Sequence, residues 1–215
     1  MTVSRIVIIG AVLIAFVLSC WFYPQMPDRI ASHWNAQGQV DGYTSKTLGL
    51  FLMPGMMAGL ALLFALIPRI APHKANIERF RRYYDGFVVV FLLFLLALHY
   101  FIILWNLGFH IGLNRILPVG IALLFFYSGV LCRNAKRNFF VGIRTPWTLS
   151  SDIVWEKTHR LGGRLFKIAA FVVGAGAFFP NLMLYFLLVP VLSITVFLLI
   201  YSYIEYRKDE PYSHA

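Results

Sequence analysis

The sequence predicts an all-α integral membrane protein with six transmembrane helices and both termini in the cytoplasm. Three observations carry that expectation. Of 215 residues, 60% are hydrophobic and only 13% charged, whereas a soluble domain is about 45–50% apolar and about 25% charged. The apolar residues gather into runs long enough for a bilayer core of about 30 Å, which takes about 20 residues as a helix. The 19 Lys and Arg residues fall unevenly between the segments that join those runs. So apolar a composition argues against a soluble enzyme, a disordered chain and a disulfide scaffold.

The first span is expected at Ile6–Tyr23, the second at Thr47–Ile67, the third at Phe87–Leu107 and the fourth at Ile116–Cys132. The last apolar block, Leu165 to Ile204, is too long for one span. Pro180-Asn181 is a turn signal inside it. It divides into a short fifth span, Leu165–Phe179, and a sixth, Leu182–Ile204. Of the basic residues, 16 lie in the N-terminus, residues 69–85, residues 133–167 and the tail from 205; 3 lie in the alternate segments. Cytoplasmic segments carry the Lys/Arg excess, so the first set is predicted to face inward. The basic charge then reports topology rather than nucleic-acid binding. Residues 1–215 read as a single membrane domain in the cytoplasmic membrane. It has an outer loop at 24–46, cytoplasmic loops at 69–85 and 133–164, and a tail at 205–215.

Apart from Lys167, which begins the fifth span and can snorkel to the interface, the spans hold no Asp, Glu, Lys or Arg, which weakens an ion-coupled pump or transporter. His99 and Asn106 are the polar exceptions in the third span, and His99 is expected to bond a neighbouring helix. Gly55 and Gly59, and Gly174 and Gly176, are small-residue pairs suited to close helix packing, within the chain or in a dimer. Pro54, Pro118 and Pro190 fall inside spans, where they can kink a helix. Cys20 and Cys132 are expected to be buried thiols. Val17-Leu18-Ser19-Cys20 has the outline of a lipoprotein cleavage box. Leu18 fits that box poorly, and Trp21-Phe22-Tyr23 reads as an interfacial aromatic anchor, so cleavage and lipidation at Cys20 are not expected. The loops show no zinc-helix, nucleophile-elbow or phosphate-cradling motif. No catalytic residue, metal ligand or cofactor is predicted.

Two loops exceed simple connections. In the outer one, Pro24, Pro27, Gly38 and Asp41-Gly42 read as turns, and Ile30–Trp34 as a short extended segment. Its candidate ligand-facing residues are His33, Trp34, Asn35, Gly38, Asp41 and Lys46; the alternative is a packed cap over the helix mouths. In the inner loop, Thr145 precedes a proline and is expected to be extended. Ser150 or Ser151 caps a helix from about Asp152 to Leu161, amphipathic, lying on the membrane surface and stopped by Gly162-Gly163. Glu156 and Arg160 are an i,i+4 pair, and Trp155 and His159 share a face. Arg133, Lys136 and Arg137 are placed to meet anionic headgroups. The candidate residues here are Asn138, Gly142, Arg144, Thr145, Pro146, Trp147, Trp155, His159 and Arg160.

The run Asn138-x-x-x-Gly142-Ile143-Arg144-Thr145-Pro146-Trp147-Thr148-Leu149, followed by Val154-Trp155-x-Lys157-Thr158-His159-Arg160, resembles the signature of the SdpI family of bacterial immunity proteins. The outer loop, from Met26-Pro27-Asp28-Arg29-Ile30 through His33-Trp34-Asn35, Gly38, Asp41-Gly42 and Ser45-Lys46, is similar to the small domain of unknown function common at that family's N-terminus. The resemblance implies protection against a secreted peptide toxin met on the outer face. It also implies signalling, by holding a small winged-helix repressor at the cytoplasmic face. The alternative read from the residues is a small-solute or peptide transporter.

Overall fold

The computed structural model describes residues 3–72 and 74–209; the last residues of the expected tail lie outside them. Among these described residues, six helices are long and apolar enough to cross a membrane. They are α1 (Val3–Phe22), α2 (Lys46–Ile70), α4 (Arg81–Asn106), α5 (Leu113–Asn134), α7 (Asp152–Ala175) and α8 (Met183–Asp209). Two short helices, α3 (Lys74–Arg79) and α6 (Pro146–Ser150), lie in the connections. Pro54, Pro68, Pro118 and Pro190 all sit inside long helices. Hydrocarbon enforces this, because a broken helix would leave backbone polar groups with no water to satisfy them.

The bundle has two halves. Helices α1, α2 and α4 pack together, α5 packs closely on α7 and α7 on α8, and α4 meets α5 between them. Tyr84, Val88 and Leu92 of α4, Met57 of α2 and Ala11 and Ala15 of α1 form the main core, which reaches Leu131 and Trp155. A smaller core of Met26, Ile30, Leu50 and Ile103 closes the opposite end. Alternation of the spans puts the start of α1, α3, residues 135–151 and the end of α8 at one end, here the basic face. The opposite end is the hairpin face.

That hairpin is antiparallel, β1 (Arg29–Trp34) against β2 (Val40–Ser45), with Arg29 opposite Ser45 and Ala31 opposite Tyr43. The expected extended segment is therefore one strand of a pair. Asp41-Gly42 is not a turn: it lies in β2, opposite His33. The reversal comes earlier, where the Asn35 side-chain oxygen accepts from the Gln37 and Gln39 N–H groups and Gly38 takes a φ of +78°. An Asn closing its own turn overrides the Asp-Gly signal.

The inner-loop helix also differs from expectation. It does not stop at Gly162-Gly163; α7 runs unbroken from Asp152 to Ala175. At about 1.5 Å per residue it is about 36 Å long, so its first turns project past the hydrocarbon while the rest forms the fifth span. Gly163 abuts Gly129 of α5, and a Cβ on either would lie 2.7–2.8 Å from the other's carbonyl oxygen. Close backbone packing thus keeps as helix a pair that would break one in solution. Gly55 and Gly59, by contrast, face open space. Within the chain the closest helix contact is made by Gly129 and Gly163, while Gly174 and Gly176 lie against Ala122 and Phe186. Cys132 is buried, but Cys20 is exposed on α1.

Candidate functional site

The chain leaves α5 at Asn134 and returns through α6 to α7, and side chains tie that return together. Asn138 is fully buried. Its oxygen accepts from the Phe140 and Val141 N–H groups at 2.8 and 2.7 Å, and its amide donates to the Lys136 and Val141 carbonyls. Gly142 follows at φ +114°. A Cβ there would lie 2.3 Å from His159 Nε2, so both backbone sign and space demand glycine. The next N–H, of Ile143, donates to His159 Nε2 at 3.0 Å. His159 Nδ1 therefore carries the proton, and it donates to the Trp155 carbonyl at 2.9 Å. The imidazole is neutral, one tautomer, with both nitrogens used. Trp155 stacks on it at 3.8 Å and donates Nε1–H to the Ala135 carbonyl. One aromatic pair on α7 thus holds the segment at Ala135 and again at Ile143.

Thr145, extended as expected, caps α6. Its Oγ1 accepts from the Thr148 N–H and Thr148 Oγ1 accepts from the Thr145 N–H, a reciprocal capping box opened by Pro146 at the first helical position. Thr148 Oγ1 also lies 2.8 Å from the Ile143 carbonyl. Trp147 packs edge-on against Tyr203 of α8, centroids 5.2 Å apart. Arg144 is exposed and donates to the Phe139 carbonyl at 2.6 Å. Ser151 caps α7, and Glu156 and Arg160 pair at 2.9 Å. The nine candidate residues therefore form one block. Asn138, Gly142, Thr145, Trp155 and His159 build it, while Arg144, Pro146, Trp147 and Arg160 lie at its surface. Trp155 and His159 do share a face, but that face is buried.

On the hairpin face, His33 Nδ1 bonds the Asp41 carboxylate across the strands. Asn35 does not join them; it closes the turn. Trp34 is half-buried against Phe101 and Trp105 of α4. Gly38 passes within contact of Asn114, whose amide donates to the Ala36 and Pro180 carbonyls. Lys46 lies over the Tyr23 ring at 4.7 Å. Asn106, the polar exception in α4, brackets Ala31 by accepting its N–H and donating to its carbonyl. The hairpin is thereby a packed cap that leaves His33, Asp41 and Tyr43 at its surface. Among the described residues, no group of three His, Cys, Asp or Glu side chains has the geometry of a metal site.

Between the two faces, His99 of α4 meets Ser19 of α1 at 2.9 Å, as a helix-bridging His should. Ser19 Oγ is also 2.7 Å from the Leu50 carbonyl, which can only accept, so His99 Nε2 is the donor to Ser19. Asn114, Ser202 and Glu205 escaped the sequence reading, which had Ser19 only in a cleavage-box outline and Arg137 only as a headgroup contact. Arg137 bonds the Leu149 carbonyl and pairs with Asp152; Glu205 takes Lys157 and Lys208; Ser202 lies 3.4 Å from Thr145 Oγ1. Each is a single polar residue without a local pattern, and only its partner from another element gives it a role.

The two faces correspond to the two regions with known likenesses. Residues 10–58 match a domain of unknown function, DUF1648, which covers the hairpin. Residues 134–202 match the SdpI/YfhL protein family and cover the basic-face block and α7. The chain is 25% identical over 206 residues to Immunity protein SdpI of Bacillus subtilis (strain 168), covering 95% of this chain and 97% of that protein. No solved structure matches it. With both regions in the same chain and the likeness running nearly end to end, this multi-pass cytoplasmic-membrane protein is similar over its whole length to the SdpI family.

Proposed function

We propose that this chain is an immunity protein that protects the cell carrying it from a secreted antimicrobial peptide, acting by binding and not by catalysis. The observation that carries the proposal is the colinear likeness to an immunity protein across 97% of that protein, spanning hairpin and basic-face block alike. The 16-to-3 division of Lys and Arg orients it. The hairpin face lies outside, where a peptide toxin arrives, with His33, Asp41 and Lys46 offered to it. The basic face lies in the cytoplasm, with both termini. There a rigid frame presents Arg144, Trp147 and Arg160, and we assign this surface to a cytoplasmic partner, a small winged-helix repressor held at the membrane. The chain works as one membrane domain that joins the two events.

The test is expression in a host sensitive to membrane-active peptides. Wild type should raise survival under challenge by at least one such peptide. Equal killing with and without it, across a panel, would sink the proposal. Arg144→Ala and Trp147→Ala should lose the response by tenfold or more while inserting normally, since neither contributes to span hydrophobicity. Full activity in both would remove the exposed part of the basic-face block from the mechanism.

A further inference from the structure

The basic face holds a polar cavity of about 540 Å³ between α3, the end of α5, residues 135–137 and the first turns of α7. We propose that it is a binding site for a phosphate-bearing anion.

Six cationic side chains line it. Arg137 and Arg160 are matched by the carboxylates of Asp152 and Glu156, which also line it. Arg79, Arg133, Lys136 and Arg164 have no acidic partner among the described residues. Four like charges around one concavity repel, and the repulsion ends when an anion enters. The floor supplies no competing negative charge. It is made by Trp155 and His159, buried, stacked and neutral, with both His159 nitrogens already used. The walls are fixed before any ligand arrives: Asn76 of α3 donates to the Arg137 carbonyl at 2.7 Å, and α7 is locked to α5 at Gly129 and Gly163. Such preorganisation suits an anion with several oxygens, because each guanidinium presents a planar fork of donors.

Position narrows the ligand further. Arg133 is in the last turn of α5, and Arg164 follows the Gly163 contact with that same turn. Both stand where a span ends, at the level of lipid headgroups. A basic pocket between helices at that level takes an anionic lipid's phosphate, and a free phosphate ion has the same chemistry. The inference does not depend on the immunity role or on the repressor, and its test reads neither.

The experiment uses the full chain in zwitterionic detergent. Native mass spectrometry measures retention of phosphatidylglycerol against phosphatidylcholine, and equilibrium dialysis measures inorganic phosphate. Three double variants are compared: Arg133→Gln with Arg164→Gln; Arg79→Gln with Lys136→Gln, remote from the α5–α7 contact; and Lys74→Gln with Arg82→Gln, which removes the same charge outside the cavity. The expected result is preferential retention of phosphatidylglycerol, weakened at least tenfold by each cavity pair and less than twofold by the outside pair. The same pattern with inorganic phosphate alone supports the site with a free anion as its occupant. Loss of binding in all three variants alike, or no preference for either phosphate-bearing anion, overturns the proposal.

Discussion

His159 has both ring nitrogens committed, one to the Ile143 N–H and one to the Trp155 carbonyl. Its sequence context, a His in a basic amphipathic stretch, is equally that of a ligand-binding group. What assigns it to the frame is burial together with Gly142, whose positive φ brings the chain close enough for the bond. His159→Ala leaves the half-buried Ile143 N–H without its partner, a loss of about 1 kcal/mol. Gly142→Ala forces an unfavourable φ and collides with the imidazole, at about 1–3 kcal/mol for the backbone strain alone. Both should lower the melting temperature in detergent and expose the 135–143 segment to protease. Arg160→Ala, at an exposed i,i+4 pair worth a few tenths of a kcal/mol, should do neither. Wild-type protease resistance in His159→Ala would show that the aromatic clamp does not hold the segment.

The α5–α7 pair shows how an element escapes its own local signals. Gly162-Gly163 reads as a helix stop, and glycine in a helix interior is about 1 kcal/mol less favourable than alanine. Here its lack of a side chain is the point, because Gly163 and Gly129 let two backbones touch. Between helices in lipid, where no hydrophobic effect drives association, such contact supplies dispersion and weak hydrogen bonding instead. Gly163→Leu should therefore separate α5 from α7 and abolish a cooperative melt while membrane insertion persists. Gly59→Leu, at an exposed position where an added Cβ meets nothing within 4 Å, should leave the melt of the monomer unchanged. If the two variants melt alike, the Gly129–Gly163 contact is not the one that holds these helices together.

For the whole molecule, the two halves and two faces make a prediction about sidedness. The basic face is assigned inward and the hairpin face outward by the Lys/Arg division. A cysteine placed at Gln37, in the exposed hairpin turn, should react with a membrane-impermeant maleimide in intact cells, in a chain with Cys20→Ser. A cysteine at Ser150, exposed in α6, should react only after the membrane is opened. Cys132, buried against α7, should stay unlabelled in both. Labelling of Ser150→Cys in intact cells would invert the topology and move the toxin-facing role to the other end.

Hydropathy and charge determined the six spans and the proposed direction of the chain, because burying about 20 apolar residues in lipid outweighs any local preference. The two loops that carry the family likeness were legible as well, from their turn residues and caps. Tertiary structure alone decided that the inner helix continues into the fifth span, that Asp41-Gly42 lies in a strand, and that Trp155 and His159 face the interior. It also decided that Gly129 and Gly163 make the close contact between α5 and α7. In each case two segments far apart in sequence had to meet before the outcome was fixed. A local pattern records what a residue prefers by itself; packing decides which of its possible partners is there.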